Sequence, residues 1–147
     1  MDPNNTVALD ELAPEWGVLV DAAADARQGA YAPYSQFAVG AAVRVASGRV
    51  YTGSNIENAA SGLTVCAERV AIWKAVSSGE RDLQALAVVT ETGATPCGAC
   101  RQVMAEFAED LEVVIADTAG RAWRTSLAEL LPHAFREANL GARPTVS

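Results

Sequence analysis

The chain is short of positive charge, of histidine and of long apolar runs, and each shortage narrows what it does. Its 147 residues carry eleven Lys and Arg against eighteen Asp and Glu, a formal net charge of -7. A nonspecific electrostatic hold on a phosphate backbone is therefore a poor mode of binding, which argues against a polynucleotide partner. No stretch approaches the roughly 20 apolar residues that cross a bilayer. The start, Met1-Asp2-Pro3-Asn4-Asn5, has neither the basic beginning nor the apolar run of a signal peptide. A cytoplasmic protein with no membrane partner is expected. Internal repeats, low-complexity tracts and linkers are absent, and 50% of the residues are hydrophobic. One domain over residues 1–147 is expected, with 1–13 and 141–147 peripheral to it.

Histidine occurs once, as His133 beside Pro132, in a segment with no ligand-like spacing. Cysteine is confined to two short runs, Cys66-Ala67-Glu68 and Pro96-Cys97-Gly98-Ala99-Cys100. In a reducing cytosol an odd set of three thiols reads as metal ligation or reactive thiol before it reads as disulfide. Three thiolates suit zinc. A structural zinc is normally closed by four protein ligands, whereas a catalytic one keeps three and leaves the fourth tetrahedral position to water. With no evident fourth ligand, the expectation is an open site with one Zn2+ per subunit on Cys66, Cys97 and Cys100.

Apolar spacing predicts a helix from Pro14 to about Gly29. After a loop over Tyr31–Gln36, the segments Phe37–Ala46 and Arg49–Gly53 read as a hairpin around Ser47-Gly48. A helix is predicted over Thr64–Ser77, a buried strand over Leu83–Thr90, and a helix from Gly98 to Ala108. Strands at Leu111–Ala116 and Arg121–Arg124 and a short helix at Ser126–Leu131 complete the pattern. Strands interleaved with helices imply a layered α/β domain.

On this reading both cysteine runs open helices, where free N–H groups and the dipole favour thiolate. Glu68 lies two residues beyond Cys66, so its carboxylate is placed beside the metal without being tied to it, as a proton shuttle needs. Three thiolates leave the centre formally anionic, and Arg69 in the same turn is a candidate donor to a ligand sulfur.

The sequence resembles the small, tetrameric, three-cysteine branch of the cytidine deaminase family. The likeness is carried by Ala30-Tyr31-Ala32-Pro33-Tyr34-Ser35-Gln36-Phe37-Ala38-Val39-Gly40-Ala41-Ala42, Gly53-Ser54-Asn55-Ile56-Glu57-Asn58-Ala59, Cys66-Ala67-Glu68-Arg69 and Pro96-Cys97-Gly98-Ala99-Cys100-Arg101-Gln102. The resemblance implies hydrolytic deamination of cytidine and 2′-deoxycytidine in pyrimidine salvage, with Glu68 protonating N3 and then the leaving amino group. It implies that the Ala67 N–H addresses the pyrimidine O2, that the Thr95 carbonyl accepts from the leaving amine, and that Asn55 and Glu57 bind the ribose 3′-hydroxyl. It further implies that Phe37 packs on the base, that Phe135 reaches a neighbouring subunit's site, and that the protein is a homotetramer. The implied fold is a three-layer α/β/α cytidine deaminase-like fold with a five-stranded mixed sheet. Ser61 stands where such proteins commonly carry a tyrosine that completes a neighbour's site.

Each residue also has a plainer reading. Glu68 suits a helix dipole, Arg69 a surface ion pair, Phe37 and Phe135 a core, and Asn55 and Glu57 a solvated strand end. Trp73 reads as core or subunit packing. Two rival functions share the cysteines: a deaminase of a modified, blasticidin-type cytosine nucleoside, and a structural zinc protein in which Glu68 is the fourth ligand.

Overall fold

The computed structural model describes residues 1–141. In chain order the elements are β1 (Thr6–Ala8), α1 (Pro14–Arg27), β2 (Gly40–Val45), β3 (Val50–Ser54), α2 (Ala67–Ser77), β4 (Leu83–Thr90), α3 (Gly98–Phe107), β5 (Glu112–Asp117), β6 (Arg121–Ser126) and the short α4 (Leu127–Leu130). They build one mixed sheet in the order β1-β6-β5-β4-β2-β3. Only β4 and β5 pair in parallel, with Leu86 opposite Val113 and Val88 opposite Ile115, and α3 makes the crossover between them. The other pairs are antiparallel.

Period-two alternation divides the central strands between two cores. Val43, Leu86, Val88, Val113 and Ile115 face α2, α3 and α4. Their neighbours Ala42, Ala85, Ala87, Ala116 and Ala122 face α1, which buries Trp16, Leu19, Val20 and Ala23 against them. The alanine face lets α1 lie close to the sheet. A Cβ on Gly40 would stand 1.9 Å from the Ala23 carbonyl oxygen, so glycine there is a condition of the packing. Gly53 plays the same part for α2, since a Cβ on it would lie 2.5 Å from the Ala67 carbonyl oxygen.

Three expectations are corrected. The sheet has six strands rather than five: β2 to β6 are those anticipated, and β1 adds itself to the edge of β6, with Thr6 opposite Trp123. Helix α2 begins at Ala67 rather than near Thr64, because Val65 is held extended by reciprocal backbone bonds with Ile56 at 3.0 Å each. Strand β2 begins at Gly40 rather than Phe37. At Val39 the ladder's acceptor is a side chain, Asn55 Oδ1 at 2.9 Å, and the regular pairing stops. Of the C-terminal segment expected to be peripheral, residues 142–147 lie outside the described residues. No helix among the described residues is long and apolar enough to cross a membrane.

Candidate active site

Two helix starts build the site. Cys66 is the residue immediately before α2 and Cys97 the residue immediately before α3, each with extended backbone dihedrals. Cys100 follows one turn into α3 and is fully buried. The Sγ atoms of Cys66 and Cys97 are 3.8 Å apart and those of Cys97 and Cys100 3.5 Å apart. All three lie within 4.8 Å of one another. Sulfurs bound to one tetrahedral zinc at about 2.3 Å stand about 3.8 Å apart, so the donor set is spaced for that ion. No other His, Cys, Asp or Glu joins the group among the described residues. His133 instead lines a separate groove with Leu131 and Arg136.

Glu68, in the first turn of α2, is only 4% exposed. Its Oε2 is 3.7 Å from Cys100 Sγ, a contact in which the thiol donates, yet the carboxylate stands outside the three-sulfur group. Arg69 donates from a terminal guanidinium nitrogen to Cys66 Sγ at 3.2 Å, and its guanidinium carbon lies 5.9 Å from the centroid of the Trp73 ring. Its Nε is buried with no acceptor among the described residues. Trp73 itself is exposed on one side, so it covers Arg69 instead of filling the core.

The electrostatics of the three sulfurs suit them to a shared cation. A hydrogen bond from Cys100, followed by the charge and hydrogen bond of Arg69, draws the Cys66 thiol down to about 5. The Cys100 thiol is pushed up, first by that shared hydrogen bond and then by burial and the Glu68 charge. Protein groups alone thus stabilise a thiolate at Cys66 and oppose one at Cys100. A divalent cation reverses that balance, which is how thiolate sites hold zinc. Burial above all, with the Cys66 charge in the same direction, holds the Glu68 carboxyl above the ordinary carboxylate range.

A pH dependence follows. Between pH 6 and 8 Cys66 is already ionised, while Cys100 must lose its proton before it ligates. Lower pH restores that proton and competes with the metal. The apparent zinc affinity is expected to rise about tenfold or more per pH unit across this range. Competition against a chelating dye at each pH checks this, and a flat profile refutes ligation by Cys100.

Beside the sulfurs opens a cavity of about 260 Å³ whose walls include Phe37, Asn55, Glu57, Glu68, Thr90 and Thr95. Asn55 is buried and tied to the loop before β2: its Oδ1 accepts from Val39 N at 2.9 Å and its Nδ2 donates to the Phe37 carbonyl at 2.8 Å. Glu57 Oε1 accepts from the backbone nitrogens of Tyr34 and Ser35 at 2.9 and 3.1 Å. Hydrogen bonding by Ser35 holds its carboxyl below the ordinary range. Ala67 is buried at the start of α2. Ala67 and Phe135 are the expected contacts that do not line the cavity, and Phe135 lies on the surface. It is 58% exposed and lies away from this cavity, beside Gln102, which donates to its carbonyl at 2.7 Å.

Two contributors went unread in the sequence. Thr90 closes the apolar strand β4, and its hydroxyl accepts from Ala94 N at 2.7 Å at the root of the loop to Cys97. Arg101 donates from Nε to the Pro96 carbonyl at 2.8 Å and from a terminal nitrogen to the Leu130 carbonyl at 2.7 Å, fixing that loop to α4. A polar residue ending an otherwise apolar strand was the available signal for Thr90. For Arg101 there was only its place beside Cys100.

Comparison with known proteins gives a consistent answer. A family profile described as "Cytidine and deoxycytidylate deaminase zinc-binding region" matches residues 17–116. The chain is similar to a cytidine deaminase of Halalkalibacterium halodurans, 51% identical over 121 residues, which are 80% of this chain and 92% of that one. A cytidine deaminase of Mycobacterium tuberculosis is 47% identical over 123 residues, 82% of this chain and 90% of the relative. Among solved structures, the cytidine deaminase from Burkholderia pseudomallei aligns with a TM-score of 0.78 at 49% identity, covering 81% of this chain and 98% of that one.

Proposed function

The chain belongs to the cytidine and deoxycytidylate deaminase zinc-binding family, and from that premise we propose that it hydrolyses cytidine and 2′-deoxycytidine to uridine and 2′-deoxyuridine, releasing ammonia. The observation that carries this reading is the three-sulfur group with a buried carboxylate beside it that stands outside the donor set. Zinc held by Cys66, Cys97 and Cys100 supplies a Lewis acid that brings the pKa of water toward about 7.

The rest is the work of this chain's side chains and backbone. Glu68 takes a proton from the attacking water, delivers it to the pyrimidine N3, and carries a second, from the hydroxyl now on C4, to the departing amino group. The bond from C4 to the water oxygen forms and the bond from C4 to the amino nitrogen breaks, so ammonia leaves with its proton count balanced. Its raised affinity for protons suits it to this exchange. The Ala67 N–H is one of the free first-turn donors of α2 and addresses O2, while the Thr95 carbonyl accepts from the amino group. Phe37 packs on the base. Asn55 and Glu57 take the ribose 3′-hydroxyl, while Glu57 Oε1 stays on the loop.

A nucleoside is favoured over a nucleotide. The charged residues of the wall are Glu57 and Glu68, and no Lys, Arg or His lines it among the described residues. A 5′-phosphate there meets only negative charge. The size of the cavity, about 260 Å³, suits one nucleoside. The exposure of Phe135 outside its own chain's cavity supports a homotetramer in which it serves a neighbour's site; sedimentation as a monomer rules that assembly out. A cytoplasmic location accords with thiolates that must stay reduced.

The deciding experiment is a panel of cytidine, deoxycytidine, cytosine, deoxycytidylate and a blasticidin-type nucleoside, followed by loss of ultraviolet absorbance and by ammonia release, with and without a zinc chelator. Turnover of both nucleosides that the chelator abolishes is expected, with deoxycytidylate lower in kcat/KM by about a hundredfold. Failure to convert either nucleoside overturns the reading, and conversion of the antibiotic alone installs the rival deaminase.

A further inference from the structure

Residues 1–8 precede the stretch, 17–116, that the family profile matches, and they fold back onto the loop that joins the sheet to Cys97. Strand β1 is anchored to β6 by the pairs Thr6 with Trp123, Val7 with Ala122 and Ala8 with Arg121. Just after it, Leu9 N donates to the Gly120 carbonyl at 2.8 Å. Before β1 the chain reverses around Asp2. The Asp2 Oδ1 accepts from Asn4 N at 2.9 Å, its Oδ2 from Asn5 Nδ2 at 2.7 Å, and its carbonyl from the Thr6 hydroxyl at 2.6 Å.

That reversal lays Met1 over Gly93. The Met1 nitrogen donates to the Gly93 carbonyl at 3.0 Å. A Cβ on Gly93 would stand 2.5 Å from Met1 Cε and 2.8 Å from Cγ and Sδ, so the methionine side chain occupies the space that any larger residue would need. Gly93 is buried and has φ +71°, a left-handed conformation suited to glycine. The next two residues, Ala94 and Thr95, line the cavity beside the sulfurs. The loop is therefore held inside by Ala94 N on the Thr90 hydroxyl, at its Cys97 end by Arg101 on the Pro96 carbonyl, and outside by Met1 on Gly93.

We propose that residues 1–8 form a positioning strap which, by pressing on Gly93, holds Ala94 and Thr95 at the cavity wall and sets how tightly the nucleoside binds. The proposal rests on the reading of that cavity as the nucleoside site. A loop already fixed in its bound shape loses less freedom when the ligand arrives, so the strap acts on affinity. It touches neither the sulfurs nor Glu68, and the chemical step is left alone.

The test uses the full-length, zinc-loaded protein. Asp2→Ala removes the side-chain acceptors that turn the chain onto Gly93 and leaves β1 in place. The KM for cytidine is expected to rise about fivefold with kcat held within about twofold. Backbone amides of residues 90–96 are expected to exchange with deuterium about tenfold faster. Asp2→Asn keeps an acceptor for Asn4 N and restores most of both. An unchanged KM or an unchanged exchange rate in Asp2→Ala overturns the strap. The exchange readout needs no turnover. Loosening of the loop in a protein that deaminates no nucleoside leaves the strap standing and removes the substrate reading, whereas an active protein whose loop exchange does not move removes the strap.

Discussion

Glu68→Gln is expected to retain zinc and lose about 10⁴-fold in kcat, the upper range for a single general acid–base group. Glutamine keeps the size of the side chain and can still accept a hydrogen bond, so the cavity survives while the proton carrier does not. Zinc content measured alongside turnover gives the result its meaning. If the metal leaves with the carboxylate, Glu68 is a ligand and the structural zinc reading gains. Compared in their zinc-free forms, the same variant is expected to be more stable than the parent. The folded protein holds this carboxyl above its ordinary value, chiefly through burial. For such a group stability falls as pH rises from the unfolded value through the folded one, because the folded state resists ionisation. At neutral pH the parent carries that loss and the glutamine variant does not. A higher Tm together with a nearly inactive enzyme is the signature of a side chain kept for chemistry at a cost to folding.

Cys100→Ser is expected to have the opposite profile. Cys100 is the fully buried member of the sulfur group and sits within α3, not before it. Removing its sulfur leaves two thiolates and a poorer oxygen donor, and the loss in zinc affinity should exceed the roughly 10- to 100-fold that follows from disturbing an outer partner of a metal site. Deamination falls below detection, the zinc-to-protein ratio drops toward zero on dialysis against a chelator, and Tm falls because metal binding contributes to folding. A variant that keeps stoichiometric zinc through such dialysis would place the ion elsewhere.

The contrast between these variants rests on features unequally legible in the sequence. Strand β4 was legible to the residue, since Leu83–Thr90 is an apolar run with turn signals on both sides. The start of α3 was legible because Pro96 and Gly98 punctuate it. The start of α2 was not. Thr64 and Val65 continue the helical spacing of apolar residues, and what keeps them extended is a pairing with Ile56 that no local pattern records. Strand β1 is three residues long, and its partner Trp123 comes late in the chain. Neither length nor alternation distinguishes such a segment. Of the site, the cysteines and Glu68 were readable because spacing limits what else they can be. Asn55 and Glu57 were readable only as polar residues after a strand. Their hold on the backbone from Tyr34 to Val39 is a tertiary fact.

The alanine face beneath α1 makes the protein's mutational tolerance lopsided. On that side the gap between helix and sheet is filled mostly by the single methyl groups of Ala42, Ala85, Ala87, Ala116 and Ala122, with Val89 and Val114 as the larger side chains. Growth at any of these positions pries the helix off its seat, and overpacking of this kind typically costs about 1–3 kcal/mol. The opposite face is lined with valine, leucine and isoleucine, where exchange among similar volumes usually costs less than about 1.5 kcal/mol. Random variation should therefore be purged beneath α1, and beneath α2 at Gly53, where a Cβ would meet the helix backbone, and be better tolerated among the larger side chains of the opposite face.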